Sequence, residues 1–204
     1  MQEQAGGHAP SWLTHSLSDE ARGVLSPGIL LLPDHILDFI ERHGVSHGVY
    51  GWWFDHRLPL VPRNGCIERD GKHLLYIGIA PPKNRPVRRS GPTPVKSRLW
   101  QNHLRGTVRS STLRHSLAAL LAQELELAFW RDQRNRVRMD RHHEDKLSDW
   151  IAKHAAISVV QHDEPWSLEE TLIRNGPPLP LNLSMSGHPF RSTLSNLRRA
   201  LGRN

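Results

Sequence analysis

Gly48–Phe54 reads GVYGWWF and His73–Ala80 reads HLLYIGIA. Both runs are rich in aromatic and β-branched residues, and turn-forming residues bound them. Each therefore predicts a β-strand. The chain holds only two tyrosines, Tyr50 and Tyr76. Both fall inside these predicted strands, each with a glycine close by. Between the runs, Asp55–Gly71 carries Pro59, Pro62, Asn64, Gly65 and Gly71, which predicts a long loop or irregular hairpin.

Upstream, Asp34–His43 places Ile36, Leu37, Phe39 and Ile40 at helical spacing, with Pro33 before it and Gly44 after it as start and stop signals. Downstream, Pro81–Pro94 has five prolines and four basic residues, a composition for an exposed irregular loop. Helices are expected at Val95–Leu104, Leu113–Arg131, Lys146–His154 and Ser167–Arg174. Arg131–His143 is highly charged and either extends the second of these or forms a loop. Ala156–Gln161 predicts a third strand. The order β, β, α, α, α, β, α implies an α+β domain: a small, mostly antiparallel, three-stranded sheet flanked by helices. The expected division is an N-terminal extension with one helix (1–44), a core domain (45–185) with insertions at 55–71, 81–94 and 104–145, and a basic C-terminal tail and helix (186–204).

The net charge is +7, with pI near 10.3. Between Gly71 and Gln123 there is no Asp or Glu, while ten Lys or Arg occur. A second acid-free stretch runs from Thr171 to the end, with Arg174, Arg191, Arg198, Arg199 and Arg203. Such segregation leaves a basic surface suited to a polyanion; the simpler alternative is a solvated basic face. No apolar run approaches the roughly 20 residues needed to span a bilayer, so no membrane partner is expected. The opening MQEQAGGHAPSW lacks the basic start and apolar core of a signal peptide. One cysteine, Cys66, allows no internal disulfide, and a reducing cytoplasm is the expected home.

Gly48-Val49-Tyr50 and Tyr76-Ile77-Gly78 resemble the two signature triplets of the GIY-YIG nucleases. Arg98, on the helix after the second triplet, resembles that superfamily's arginine. Glu169 in SLEETLI resembles its metal-binding glutamate, and Asn182 in PPLPLN its domain-closing asparagine. The resemblance covers roughly 46–183, in order. It implies a metal-dependent DNA endonuclease using Mg²⁺ or Mn²⁺, with nucleic acid, DNA first, as partner. Hydrolysing a phosphodiester needs an activated water and counter-charge for the phosphorane-like transition state. Glu169 would hold the cation, since Mg²⁺ takes only one or two carboxylates beside its waters. Arg98 would clamp phosphate through its planar fork. Tyr50 would activate or orient the water, and Tyr76 would face the same phosphate. His103 follows Arg98 on the same helix, either to contact phosphate or relay a proton, or as a polar surface residue. Gly78, Lys96, Arg105, Arg109 and Asn182 complete the expected substrate-binding set, although Asn182 could equally hydrogen-bond a loop backbone.

Ser167-Leu168-Glu169-Glu170 matches a capping box. That reading occupies Glu170 and leaves Glu169 free. Residue 79 is Ile where many members of the superfamily carry Lys, so a phosphate-facing charge is missing unless Lys72, Lys83 or Arg85 supplies it. Two other readings compete. One is a nucleic-acid-binding module that kept the fold without catalysis. The other is a protein-interaction domain built on its tryptophans, most of which have core spacing.

Overall fold

The structure, a computed structural model, describes residues 18–83 and 92–203. The segment 1–10 and most of the proline-rich loop 81–94, including Arg85, lie outside the described residues. Strand β1 (Gly48–Phe54) is buried along its whole length, and its pairings give the reason. It is flanked by β3 (Lys72–Ala80) on one side and β6 (Ala155–Gln161) on the other, both antiparallel. The sheet order is β2-β3-β1-β6, with β2 (Glu68–Arg69) a short edge strand. The α+β class and antiparallel sheet agree with the sequence. The fourth strand comes from the end of the 55–71 segment, where two residues pair with Lys72 and His73. The rest of that segment is pinned by Arg63, which donates to the carbonyls of Val61, Asp55 and Leu58.

Both faces of the sheet are covered, so the central strand has no polar side. Tyr50, Trp52 and Phe54 point into the larger core, built with α2 (Ile36–His43), α4 (Thr112–Leu120) and α5 (Arg141–His154). Val49 and Trp53 point to the opposite face, under α1 (Asp19–Leu25) and α6 (Pro165–Asn175). This is the two-residue period of a strand with apolar layers on both sides. Trp53 keeps its indole N–H satisfied at 2.9 Å by Ser158 Oγ, which donates to the Val24 carbonyl. No helix among the described residues is long and apolar enough to cross a membrane.

Two expectations fail locally. The helix predicted for Leu113–Arg131 ends at Leu120. The chain then turns, with Glu126 at positive φ, and forms a hairpin of β4 (Trp130–Arg131) and β5 (Val137–Arg138). Asp132 organises that hairpin: its carboxylate accepts from the backbone N–H groups of Arg134 and Arg136 and from the side chains of Arg136 and Arg138. Such local side-chain bonds compete with helix, and helical periodicity in the apolar residues does not register them. The described part of the 1–44 segment carries two α-helices, α1 and α2, where the sequence predicts one. The C-terminal helix α7 (Phe190–Ala200) packs on α4 through the buried Leu194.

A buried ion pair ties α4 and α5 to the segment Ser97–Leu104. Arg114 is fully buried; one guanidinium nitrogen donates to the carbonyls of His103 and Leu104, the other to Glu144 Oε2 at 2.8 Å. Glu144 Oε1 accepts from Val108 N–H. Arg114→Met strands the Glu144 carboxylate, so the folded state loses about 3–5 kcal/mol, read as a lowered denaturation midpoint. Adding Glu144→Gln recovers part of the loss.

Candidate active site

The strand register brings the two tyrosines together. Tyr50 lies opposite Gly78, and Trp52 lies opposite Tyr76, so both hydroxyl-bearing rings stand on one face as diagonal neighbours. Gly78 has a steric role. A Cβ there would meet Tyr50 Oη at 2.7 Å and two ring carbons at 2.9 Å. The Tyr50 ring therefore lies across the bare backbone of Gly78. Gly78→Ala must push the ring off its seat, so the variant is expected to melt below wild type; an unchanged melting midpoint rejects the steric role.

Arg98 and His103 reach the same oxygen because their helix is wound differently from an α-helix. A short α-turn, α3 (Pro94–Lys96), leads into a π-helix, Ser97–Leu104. The Arg105 N–H bonds the Trp100 carbonyl, five residues back, at 2.8 Å. In an α-helix, residues five apart diverge by roughly 140°. The i→i+5 winding instead stacks Arg98 on the face of His103. Arg98 Nε donates to Tyr50 Oη at 3.3 Å, and Nη1 to the Ser110 carbonyl at 3.4 Å. His103 Nε2 lies 2.9 Å from Tyr50 Oη, and Nδ1 lies 2.6 Å from Ser111 Oγ. His103 is fully buried, its ring edge-on to Tyr50, Trp52 and Tyr76.

Burial, then the neighbouring Arg98 and Arg114 charges, hold the His103 imidazole well below its usual range. It is neutral at physiological pH. In the tautomer that carries its hydrogen on Nδ1, the ring donates to Ser111 Oγ and Nε2 accepts from the Tyr50 hydroxyl. Burial pushes both phenols above their ordinary range, with the Arg98 charge opposing.

Glu169 reaches the site from α6. Trp166, Glu169, Glu170 and Ile173 line the cleft, at the spacing of one helix face, while Leu168 and Leu172 are buried against the sheet. The expected capping box does not form. Helix α6 starts at Pro165, two residues earlier, so Ser167 lies inside it. Glu170 instead pairs with Arg174 at 2.9 Å. No hydrogen bond or ion pair engages Glu169 among the described residues, and burial raises its carboxyl to about 7 against the pull of Arg98. A hard, unpaired carboxylate in an open cleft suits a Mg²⁺-type cation completed by water. No group of three His, Cys, Asp or Glu gathers among the described residues.

The cleft, of about 370 Å³, joins Tyr50, Tyr76, Arg98 and Glu169. Other expected residues sit elsewhere or act differently. Asn182 lines the cleft from below, but both ends of its amide hold the Ile77 backbone, at 2.9 and 2.8 Å. It fixes the strand between Tyr76 and Gly78. Lys96 is paired with Glu41 at 2.6 Å and is not among the cleft residues. Arg105 lies over the Trp100 ring, 5.2 Å from its centre. Arg109 lines adjoining cavities instead. Of the basic residues near Ile79, Lys83 lines the cleft, whereas Lys72 pairs with Asp55. The sequence offered three candidates for that charge and no means of choosing among them.

A family model described as GIY-YIG catalytic domain matches residues 48–200. Neither a curated relative nor a solved structure gives a match. The matched span takes in both tyrosine strands, the π-helix, α6 and α7, and the chain belongs to the GIY-YIG catalytic domain family, a family of nuclease type.

Proposed function

We propose that this protein is a metal-dependent endonuclease that hydrolyses phosphodiester bonds in DNA, acting in the cytoplasm. The observation that carries the reading is the convergence of Tyr50, Tyr76 and Arg98 with an unpartnered carboxylate, Glu169, in one cleft. Arg98 offers its fork to the non-bridging oxygens of the scissile phosphate. Tyr50 commits its proton to His103 Nε2, which leaves the phenol oxygen to accept a hydrogen bond from the attacking water and orient it. Tyr76, the less buried of the two phenols, directs its hydroxyl at the same phosphate. A Mg²⁺ or Mn²⁺ ion held by Glu169 would supply charge for the developing oxyanion and acidify a bound water.

The test is cleavage of labelled linear, nicked, flapped and branched DNAs, and of RNA, with Mg²⁺, Mn²⁺ or EDTA. Wild type is compared with Glu169→Ala. Metal-dependent cutting of DNA that disappears in the variant is the expected result. Salt-sensitive binding without cutting, under any of these metals, would leave a non-catalytic binding module.

A further inference from the structure

A second cavity, of about 480 Å³, lies between α4, the β4–β5 hairpin and α7. Arg109, Arg131, Arg136, Arg198 and Arg199 line it, and no Asp or Glu does. Of these, only Arg136 has an acid partner among the described residues, Asp132 at 2.9 Å. Arg131 donates to the carbonyls of Asn135 and Arg199, which ties the hairpin to α7 without neutralising the charge. Arg198 is half-buried and donates to His115 Nδ1 at 3.1 Å. Burial and the Arg198 charge hold His115 at about 4, so it stays neutral and keeps Nδ1 as acceptor. Its remaining N–H, on Nε2, is buried and meets no acceptor among the described residues.

An arginine-lined hollow free of carboxylates concentrates positive potential, and guanidinium forks fit phosphate oxygens. The hollow adjoins the catalytic cleft: Thr112 and Leu183 line both. We propose that it is a second phosphate subsite, holding the sugar–phosphate backbone of the nucleic acid beyond the scissile phosphate. This rests on the nuclease reading above and assigns a substrate-gripping role to the β4–β5 hairpin and α7. Its cationic lining suits phosphate contacts, which carry no sequence information of their own. The hold it provides is therefore independent of sequence.

The test uses the full chain and a labelled duplex in EDTA, with binding followed by fluorescence anisotropy across a salt series. Arg109 and Arg199 are exposed, so replacing both by Gln does not threaten folding. Arg109→Gln with Arg199→Gln is expected to weaken binding about tenfold and to flatten the slope of log K against log salt by about 2. The DNA concentration for half-maximal cleavage in Mg²⁺ rises with it. Arg42→Gln with Arg57→Gln removes equal charge from surfaces that line neither cavity; an equal loss there overturns the proposal. So does a wild type that cuts DNA while the Arg109/Arg199 variant binds as tightly, in which case the nuclease reading stands alone. A variant that loses thermal stabilisation by inorganic phosphate yet binds DNA normally marks a small-anion site, and also overturns it. A wild type that neither binds nor cuts any nucleic acid removes both readings together.

Discussion

Arg98→Ala lowers the single-turnover cleavage rate at saturating DNA by about a thousandfold, and Arg98→Lys restores little of it. The guanidinium has two tasks that a lysine ammonium cannot combine. Its Nε donates to Tyr50 Oη while Nη1 is anchored on the Ser110 carbonyl, which fixes the plane of the fork and leaves further N–H groups for phosphate. Its charge also opposes the burial that drives both phenols away from ionisation. A lysine at position 98 is a point charge on a flexible stem. It satisfies at most one of these contacts and presents no bidentate edge. Most of the loss belongs in the rate constant, because the charge is needed where negative charge develops on the phosphoryl oxygens. Rapid-quench measurements on both variants decide the matter. Arg98→Lys within tenfold of wild type would show that any nearby cation suffices, and the clamp geometry would have to be abandoned.

The strands were readable because their apolar character had one cause. A run such as GVYGWWF must be covered on both faces, and a strand between two neighbours and two helical layers satisfies that. Arg98 was found through its place after the second tyrosine triplet. Its approach to Tyr50 together with His103 was not readable, because it depends on π-winding that an α-periodic reading cannot anticipate. Glu169 is marked by its resemblance to the superfamily's metal-binding glutamate, while the capping box that would leave it free does not form. It faces the cleft because Pro165 starts the helix and the face running from Trp166 to Ile173 turns towards Tyr76. The basic residues show the limit of composition. Ten cations in an acid-free stretch signal a polyanion, but Lys96 is bound to Glu41 and Arg105 covers Trp100. Arg198 and His115 stood out by no motif, since their pairing joins helices 83 residues apart in sequence. The β4–β5 hairpin was hidden because Asp132 creates it through local bonds within an apolar pattern that favours helix.

Glu169→Gln removes cleavage and, in metal-free buffer at pH 8, makes the protein more stable. In the unfolded chain this carboxyl titrates near 4.5, and in the folded cleft near 7. The folded state therefore holds the proton more tightly. The stabilisation this confers is fully present below 4.5, fades as pH rises, and is gone above about 7, where folding must bury an unpaired carboxylate. The penalty at pH 8, relative to a side chain that stays neutral, is on the order of 3 kcal/mol. Glutamine escapes it, so the variant melts several degrees higher at pH 8, and the difference closes towards pH 5. Mg²⁺ reverses the order of advantage: it raises the midpoint of wild type and not of the variant, because only the carboxylate offers a hard anionic ligand. Each pH unit below 7 weakens the metal's apparent affinity about tenfold, since the proton on Glu169 must leave first. Thermal melts of both proteins at pH 5 and 8, in EDTA and in Mg²⁺, test these effects together. A variant less stable than wild type at pH 8 without metal would mean that Glu169 has a structural partner, and its standing as the free ligand of the cleft would fall with it.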